Sequence, residues 1–91
     1  RYPACYKDVS FWLPESFHEN DLFETIRDTA GDLVEDVKCI DDFVHPRTKR
    51  HSRCYRVNYR SMDMNLENEH VNALHAKVLE RMQGEFNLEI R

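Results

Sequence analysis

The sequence predicts an α+β sandwich: strand, helix, strand, strand, helix, strand, with four antiparallel strands in one sheet and both helices on one face of it. Three observations carry this. Apolar residues recur at period two in four short segments and at helical spacing in two longer ones. Gly31 and Gly84, the two glycines of the chain, each stand just after a helix-like segment. The 91 residues suffice for one domain with one core but not for two.

The elements follow in order. From Tyr6 to Leu13, Val9, Phe11 and Leu13 alternate with Tyr6, Asp8, Ser10 and Trp12, which reads as a central strand stopped by Pro14. Asn20 or Asp21 is placed to cap a helix, and Asp21 and Glu24 have capping-box spacing. Leu22, Ile26, Thr29 and Leu33 then lie on one helical stripe, and Gly31 suits the left-handed position after a helix over 21–30. Leu33 to Ile40 is a second strand, with Val37 and Cys39 toward the core and Asp36, Lys38 and Ile40 away from it. A hairpin leads to a third strand, Ser52 to Met62. Leu66 to Met82 returns to helical period through Val71, Leu74, Val78 and Met82, with Gly84 as its stop. Phe86, Leu88 and Ile90 alternate with Asn87, Glu89 and Arg91 in a short last strand. Phe11, Ile26, Val57, Leu74, Val78 and Leu88 are expected to meet in the core.

A 4-1-3-2 strand order leaves the second sheet face uncovered. By alternation it would display Tyr6, Asp8, Ser10 and Trp12, then Asp36, Lys38 and Ile40, then Cys54, Arg56, Asn58 and Arg60, and finally Asn87, Glu89 and Arg91. The stretch His45 to Arg60 holds Arg47, Lys49, Arg50, Arg53, Arg56 and Arg60 and no acid, although the whole chain has 13 Lys and Arg against 17 Asp and Glu. Aromatic, Arg and Asn side chains on an open sheet suit stacking on unpaired bases and hydrogen bonding to their edges. The RNA-binding candidates are Tyr6, Ser10, Trp12, Arg47, Lys49, Arg50, Arg53, Arg56, Asn58 and Arg60. Plainer readings stand beside this one. The arginines fit a solvated edge, Trp12 fits packing beneath a loop or another domain, and Asp8 fits pairing with Arg56 or Arg60.

Other chemistries find little support. Ser10 and Ser52 lack an elbow motif, the histidines fall in polar loops or on helix flanks, and two glycines cannot build a phosphate cradle. Cys5, Cys39 and Cys54 are odd in number, far apart and without a Cys-x-x-Cys pair, so reduced thiols with neither metal nor disulfide are expected. A membrane span would need an apolar run of roughly 18 to 20 residues, and none is present. The chain starts at Arg1 without Met, which fits a processed chain or a piece of a longer protein. A ferredoxin-like protein-interaction or small-molecule regulatory domain remains the alternative, because one fold hosts many functions.

Three segments carry a family resemblance: RYPACYKDVSFWLP, HENDLFETIRDTAGDLVEDVKCIDDFVHP and SRCYRVNYRSM. They are similar to the ferredoxin-fold anticodon-binding domain at the C-terminus of phenylalanyl-tRNA synthetases, in particular the single-chain mitochondrial enzymes, and the resemblance runs through to the closing NLEIR. It implies a single ferredoxin-like βαββαβ domain over residues 1–91, the C-terminal piece of a longer chain. It also implies binding of the anticodon stem-loop of the phenylalanine tRNA, with no DNA or membrane partner, in the mitochondrial matrix. ATP and magnesium would serve a parent catalytic domain; this domain would need no cofactor and perform no catalysis. One departure stands out. The family shows Arg-Thr-Leu, a Ser or Thr cap and a Glu before the second helix, whereas this chain has Met64, Asn65, Leu66, Glu67 and His70, leaving Asn65 or Asn68 to cap. A lost cap costs about 1 kcal/mol. The net charge of −4 adds that an isolated domain would bind RNA weakly, since phosphate neutralisation supplies most non-specific affinity.

Overall fold

The structure, a computed structural model, describes residues 3–61 and 65–91. Along the chain run β1 (Cys5–Trp12), α1 (Glu19–Ala30), a 3-10 turn (Gly31–Leu33), β2 (Val34–Val44), β3 (His51–Tyr59), α2 (Asn68–Phe86) and β4 (Glu89–Ile90). The strands form one antiparallel sheet in the order β2-β3-β1-β4, which is the expected 4-1-3-2 arrangement.

Period two in the strands and 3.6 in the helices direct the apolar residues to one interior. Val9 and Phe11 of β1 and Tyr55, Val57 and Tyr59 of β3 meet Leu22 and Ile26 of α1 and Val71, Val78 and Met82 of α2, all of them buried. Burying each such side chain stabilises the fold by roughly 1.5–3 kcal/mol. Phe11 stacks on Tyr55 with ring centroids 5.8 Å apart, and Phe17, from the loop before α1, meets Phe11 edge-on at 5.6 Å. Of the expected core, Phe11, Ile26, Val57, Val78 and Leu88 are buried, whereas Leu74 is only partly so. His75 takes the inward position of that helical turn. It sits on the stripe Val71, His75, Val78, Met82, where its Nδ1 shares a 2.9 Å hydrogen bond with the Tyr59 hydroxyl. The histidines are therefore not all on loops and flanks.

Element ends differ from the expected ones for local reasons. Helix α1 begins at Glu19 with His18 at its N-cap, not at Asn20 or Asp21, because the His18 carbonyl accepts from the Asp21 and Leu22 amides. The Glu19 carboxylate is also held, accepting a 2.6 Å hydrogen bond from the Tyr55 hydroxyl. Helix α2 starts after Glu67, so neither Asn65 nor Asn68 is its N-cap. It runs through Gly84 to Phe86 and is terminated by Asn87, in the left-handed conformation at φ 53°. The added turn is secured by Thr25, whose hydroxyl donates to Glu85 at 2.8 Å, and by Phe86, which packs on Phe17. Phe86 is consequently helical and β4 is short. The expected end of the third strand at Met62 and the helix-start position Met64 lie outside the described residues.

Burial pushes the Tyr59 hydroxyl up to about 12 and holds His75 below its ordinary 6.5, the latter reinforced by Lys7 and opposed by Asp8. The depressed histidine fixes the sign of a pH effect. Above 6.5 it is neutral in folded and unfolded chain alike; as pH falls below 6.5 the unfolded chain takes up a proton that the folded one resists, so stability declines toward the folded value and then levels. His75→Gln keeps a hydrogen-bonding group for Tyr59 without titrating. Urea unfolding at about pH 7.5 and about pH 5 should show a smaller acid loss for the variant than for the parent, and equal losses would contradict this.

Candidate nucleic-acid interface

The sheet face away from the helices is uncovered. Register places its side chains in rows across β1, β3 and β2: Tyr6, Asn58 and Asp36; Asp8, Arg56 and Lys38; Ser10, Cys54 and Asp41; Trp12, Ser52 and Phe43. The rows exist because β2 carries two bulges, at Glu35 and Ile40, where a residue is left without a partner on β3. Ile40, expected on the open face, is the second bulge. Beyond it the alternation is inverted, which turns Asp41 and Phe43 to the open side. Only Val34 of β2 is fully buried, so the helices cover little of this edge strand and Cys39, expected toward the core, is exposed.

The arginines of β3, and Arg60 just beyond it, are neutralised by nearby acids. Arg56 clasps Asp8 through Nε–Oδ1 at 2.9 Å and Nη2–Oδ2 at 3.1 Å, and this hydrogen bonding holds the Asp8 carboxyl below its ordinary value. Arg60 lies 3.3 Å from Glu35 with its side chain 16% exposed. Asn58 is buried and donates to the same Glu35 at 2.8 Å, so it braces the bulge instead of displaying its amide. Arg53 falls on the helix side, as its parity with Tyr55 requires. It donates to Tyr55 at 3.2 Å and to Asp42 at 2.9 Å, while His51 binds the other Asp42 oxygen. These bonds, that of His51 foremost, keep Asp42 below its ordinary value, and desolvation raises the Tyr55 hydroxyl well above its own.

Positive charge without an acid partner gathers at the β2–β3 hairpin. Arg47 and Lys49 are exposed and make no ion pair among the described residues. The loop that carries them is ordered by its own bonds. The His45 amide donates to the Arg50 carbonyl at 2.8 Å, the Lys49 amide to the His45 carbonyl at 2.9 Å, and His45 Nδ1 accepts from the amides of Arg47 and Thr48. Lys49 stands at φ 64° to close the turn. Next to the loop, the Arg50 guanidinium lies 4.6 Å from the Trp12 ring centre.

The structure thus brings Tyr6, Ser10, Trp12, Arg50 and Arg56 to the open face, with Arg47 and Lys49 at its rim. It sets Arg53 behind the sheet and turns Asn58 and Arg60 into a local brace. Phe43 and Arg91 are the residues that sequence reasoning left out of the site. Arg91 was on the predicted face and carried a signal by alternation; Phe43 lay beyond the expected strand end at Ile40, whereas β2 continues past the bulge to Val44. A groove of about 350 Å3 between Asp21, Glu24, Asp28, Arg81 and Glu85 lies among the helices and is lined mainly by acids, the wrong sign for a nucleic acid. Cys5, Cys39 and Cys54 are free thiols, and no group of three His, Cys, Asp or Glu among the described residues is arranged to hold a metal. No helix among them is long and apolar enough to cross a membrane.

Fold and site together define a ferredoxin-like α+β domain with an open sheet face and a basic rim. Residues 1–91 match the ferredoxin-fold anticodon binding domain, and the chain belongs to that family. It is 50% identical, over its whole length, to the mitochondrial phenylalanine–tRNA ligase of Saccharomyces cerevisiae, covering 21% of that protein. It is 47% identical, again over its whole length, to the chloroplastic/mitochondrial phenylalanine–tRNA ligase of Arabidopsis thaliana, covering 21% of it. A more distant relative, the mouse homolog of ferredoxin-fold anticodon-binding domain-containing protein 1, is 37% identical over 99% of the chain and covered to 14%. The chain spans about a fifth of the length of the two ligases.

Proposed function

We propose that this chain is the C-terminal anticodon-binding domain of a mitochondrial phenylalanine–tRNA ligase and that residues 1–91 form one such domain. It holds the anticodon stem-loop of the phenylalanine tRNA while a separate catalytic domain joins phenylalanine to the tRNA with ATP and magnesium, in the mitochondrial matrix. The domain itself supplies binding, not catalysis, and takes no cofactor.

The observation that carries this reading is the continuity of the open face with the basic hairpin. Tyr6, 60% exposed, stands at one end of β1 and Trp12 at the other, beside Arg50 and the Arg47–Lys49 loop. Aromatic faces accept bases and the loop cations accept phosphates. A protein-interaction reading draws on one specific observation: Asp8 and Glu35 already neutralise Arg56 and Arg60, which leaves the middle of the face without excess positive charge.

One titration separates the two. The full-length protein is mixed with a phenylalanine anticodon stem-loop and with a scrambled-loop control over a range of salt. The RNA reading expects preference for the first and a steep fall with salt; absence of both supports the protein-interaction reading. Tyr6→Ala should cut the preference by roughly 1–3 kcal/mol if a base stacks there. Asn58→Ala, by contrast, should lower the melting temperature and leave the preference alone, because Asn58 is tied to Glu35.

A further inference from the structure

At the hairpin end of the open face, three neighbouring strand residues, Trp12, Ser52 and Phe43, form a row. Arg91 lies across it. Its amide donates to the Ser10 carbonyl at 2.8 Å, which fixes the backbone, and its guanidinium sits 4.9 Å from the Phe43 ring centre and 5.5 Å from that of Trp12. Nη1 donates to the Oγ of the fully buried Ser52 at 2.9 Å. Arg50 rests against the same indole and reaches Glu89, 2.7 Å from its Nη2. Glu89 is the residue of β4 directly opposite Trp12. Two guanidinium groups therefore share one aromatic residue with a single carboxylate, and Arg91 makes no ion pair among the described residues.

We propose that Arg50 and Arg91, seated on Trp12 and Phe43, form the seat for a backbone phosphate of the bound RNA, and that Glu89 occupies the Arg50 side of this seat when RNA is absent. This rests on the RNA-binding reading and deepens it. A carboxylate and a phosphodiester offer a guanidinium the same thing, a negative charge with hydrogen-bond acceptors in a plane it can fork around. The aromatic contacts and Ser52 fix the Arg91 guanidinium beforehand, so little side-chain freedom is lost on binding. The Arg50–Glu89 pair is easily exchanged, with its side chains 49% and 62% exposed, since ion pairs in that setting contribute little. Glu89 thus acts as an internal competitor that sets the threshold for phosphate. Arg47 and Lys49 extend the positive track from the seat into the hairpin.

The test is Glu89→Gln in the full-length protein, with a synthetic phenylalanine anticodon stem-loop as probe. Removing the competing charge should tighten binding about three- to tenfold and steepen the salt dependence, with the thermal midpoint unchanged. Arg50→Ala should weaken binding, and adding Glu89→Gln to it should restore little, because the competed group is gone. If the parent protein binds the stem-loop but Glu89→Gln binds no better, the inference is overturned and the RNA reading stands. The same holds if Glu89→Gln tightens binding equally with and without Arg50. If neither parent nor variant binds, both fall.

Discussion

Val57→Asp is expected to leave the chain without a cooperative fold. Val57 is fully buried at the middle of β3, between Lys7 of β1 and Val37 of β2, with both helices beneath it. An aspartate there loses the valine's burial and places a polar group where no water reaches, together roughly 4–5 kcal/mol or more, which is comparable to the total stability of a small domain. Pairing with Lys7, its cross-strand neighbour, does not rescue it. Both charges would then leave water, and that desolvation exceeds their attraction. The measurement is chemical-shift dispersion in an NMR spectrum with a urea melt beside it, and Val57→Ala, at roughly 2–3 kcal/mol, serves as the milder control. A dispersed spectrum and cooperative melt from Val57→Asp would show that the sheet centre tolerates charge and that the core is misassigned.

Replacing Arg47 and Lys49 together by Ala is expected to lower affinity for any stem-loop roughly 10- to 100-fold at low salt. The slope of log affinity against log salt should flatten by about one per cation removed, since each releases one counterion on binding. The loss should be equal for the cognate and scrambled loops. Both side chains project from an exposed hairpin whose geometry is fixed by His45 and Thr48, which the substitutions leave in place. Contacts of that kind reach phosphates and carry little sequence information. Filter binding or calorimetry at several salt concentrations checks it. A loss confined to the cognate loop would make these residues base readers, and no loss at all would move the RNA to another surface.

Much of the architecture was legible in the sequence because it depends on periodicity. Val9 and Phe11, or Tyr55, Val57 and Tyr59, announce strand faces by spacing alone, and the strand–helix order restricts the sheet to few topologies. Ends were less legible. Gly84 reads as a stop by composition, yet the helix continues because Glu85 and Phe86 find Thr25 and Phe17, far away in the chain. His75 reads as polar, yet it is buried because Tyr59 supplies a partner.

For the candidate site, the sequence by itself determined which side chains β1 and β3 turn toward the open face, that the hairpin is basic, and which family the chain resembles. Only the tertiary structure decided which cations remain available. Charge pairing depends on cross-strand register, and register depends on where β2 bulges. The bulge at Glu35 brings a carboxylate to Asn58 and Arg60, and the one at Ile40 turns Phe43 toward Arg91. A bulge adds one residue to a strand and inverts every side chain after it, while leaving almost no trace in composition or spacing. Cross-strand alternation already allowed Asp8 to pair with Arg56 or Arg60, and the fold selects Arg56; the pairing of Glu89 with Arg50 joins residues distant in sequence and appears only when the sheet is assembled.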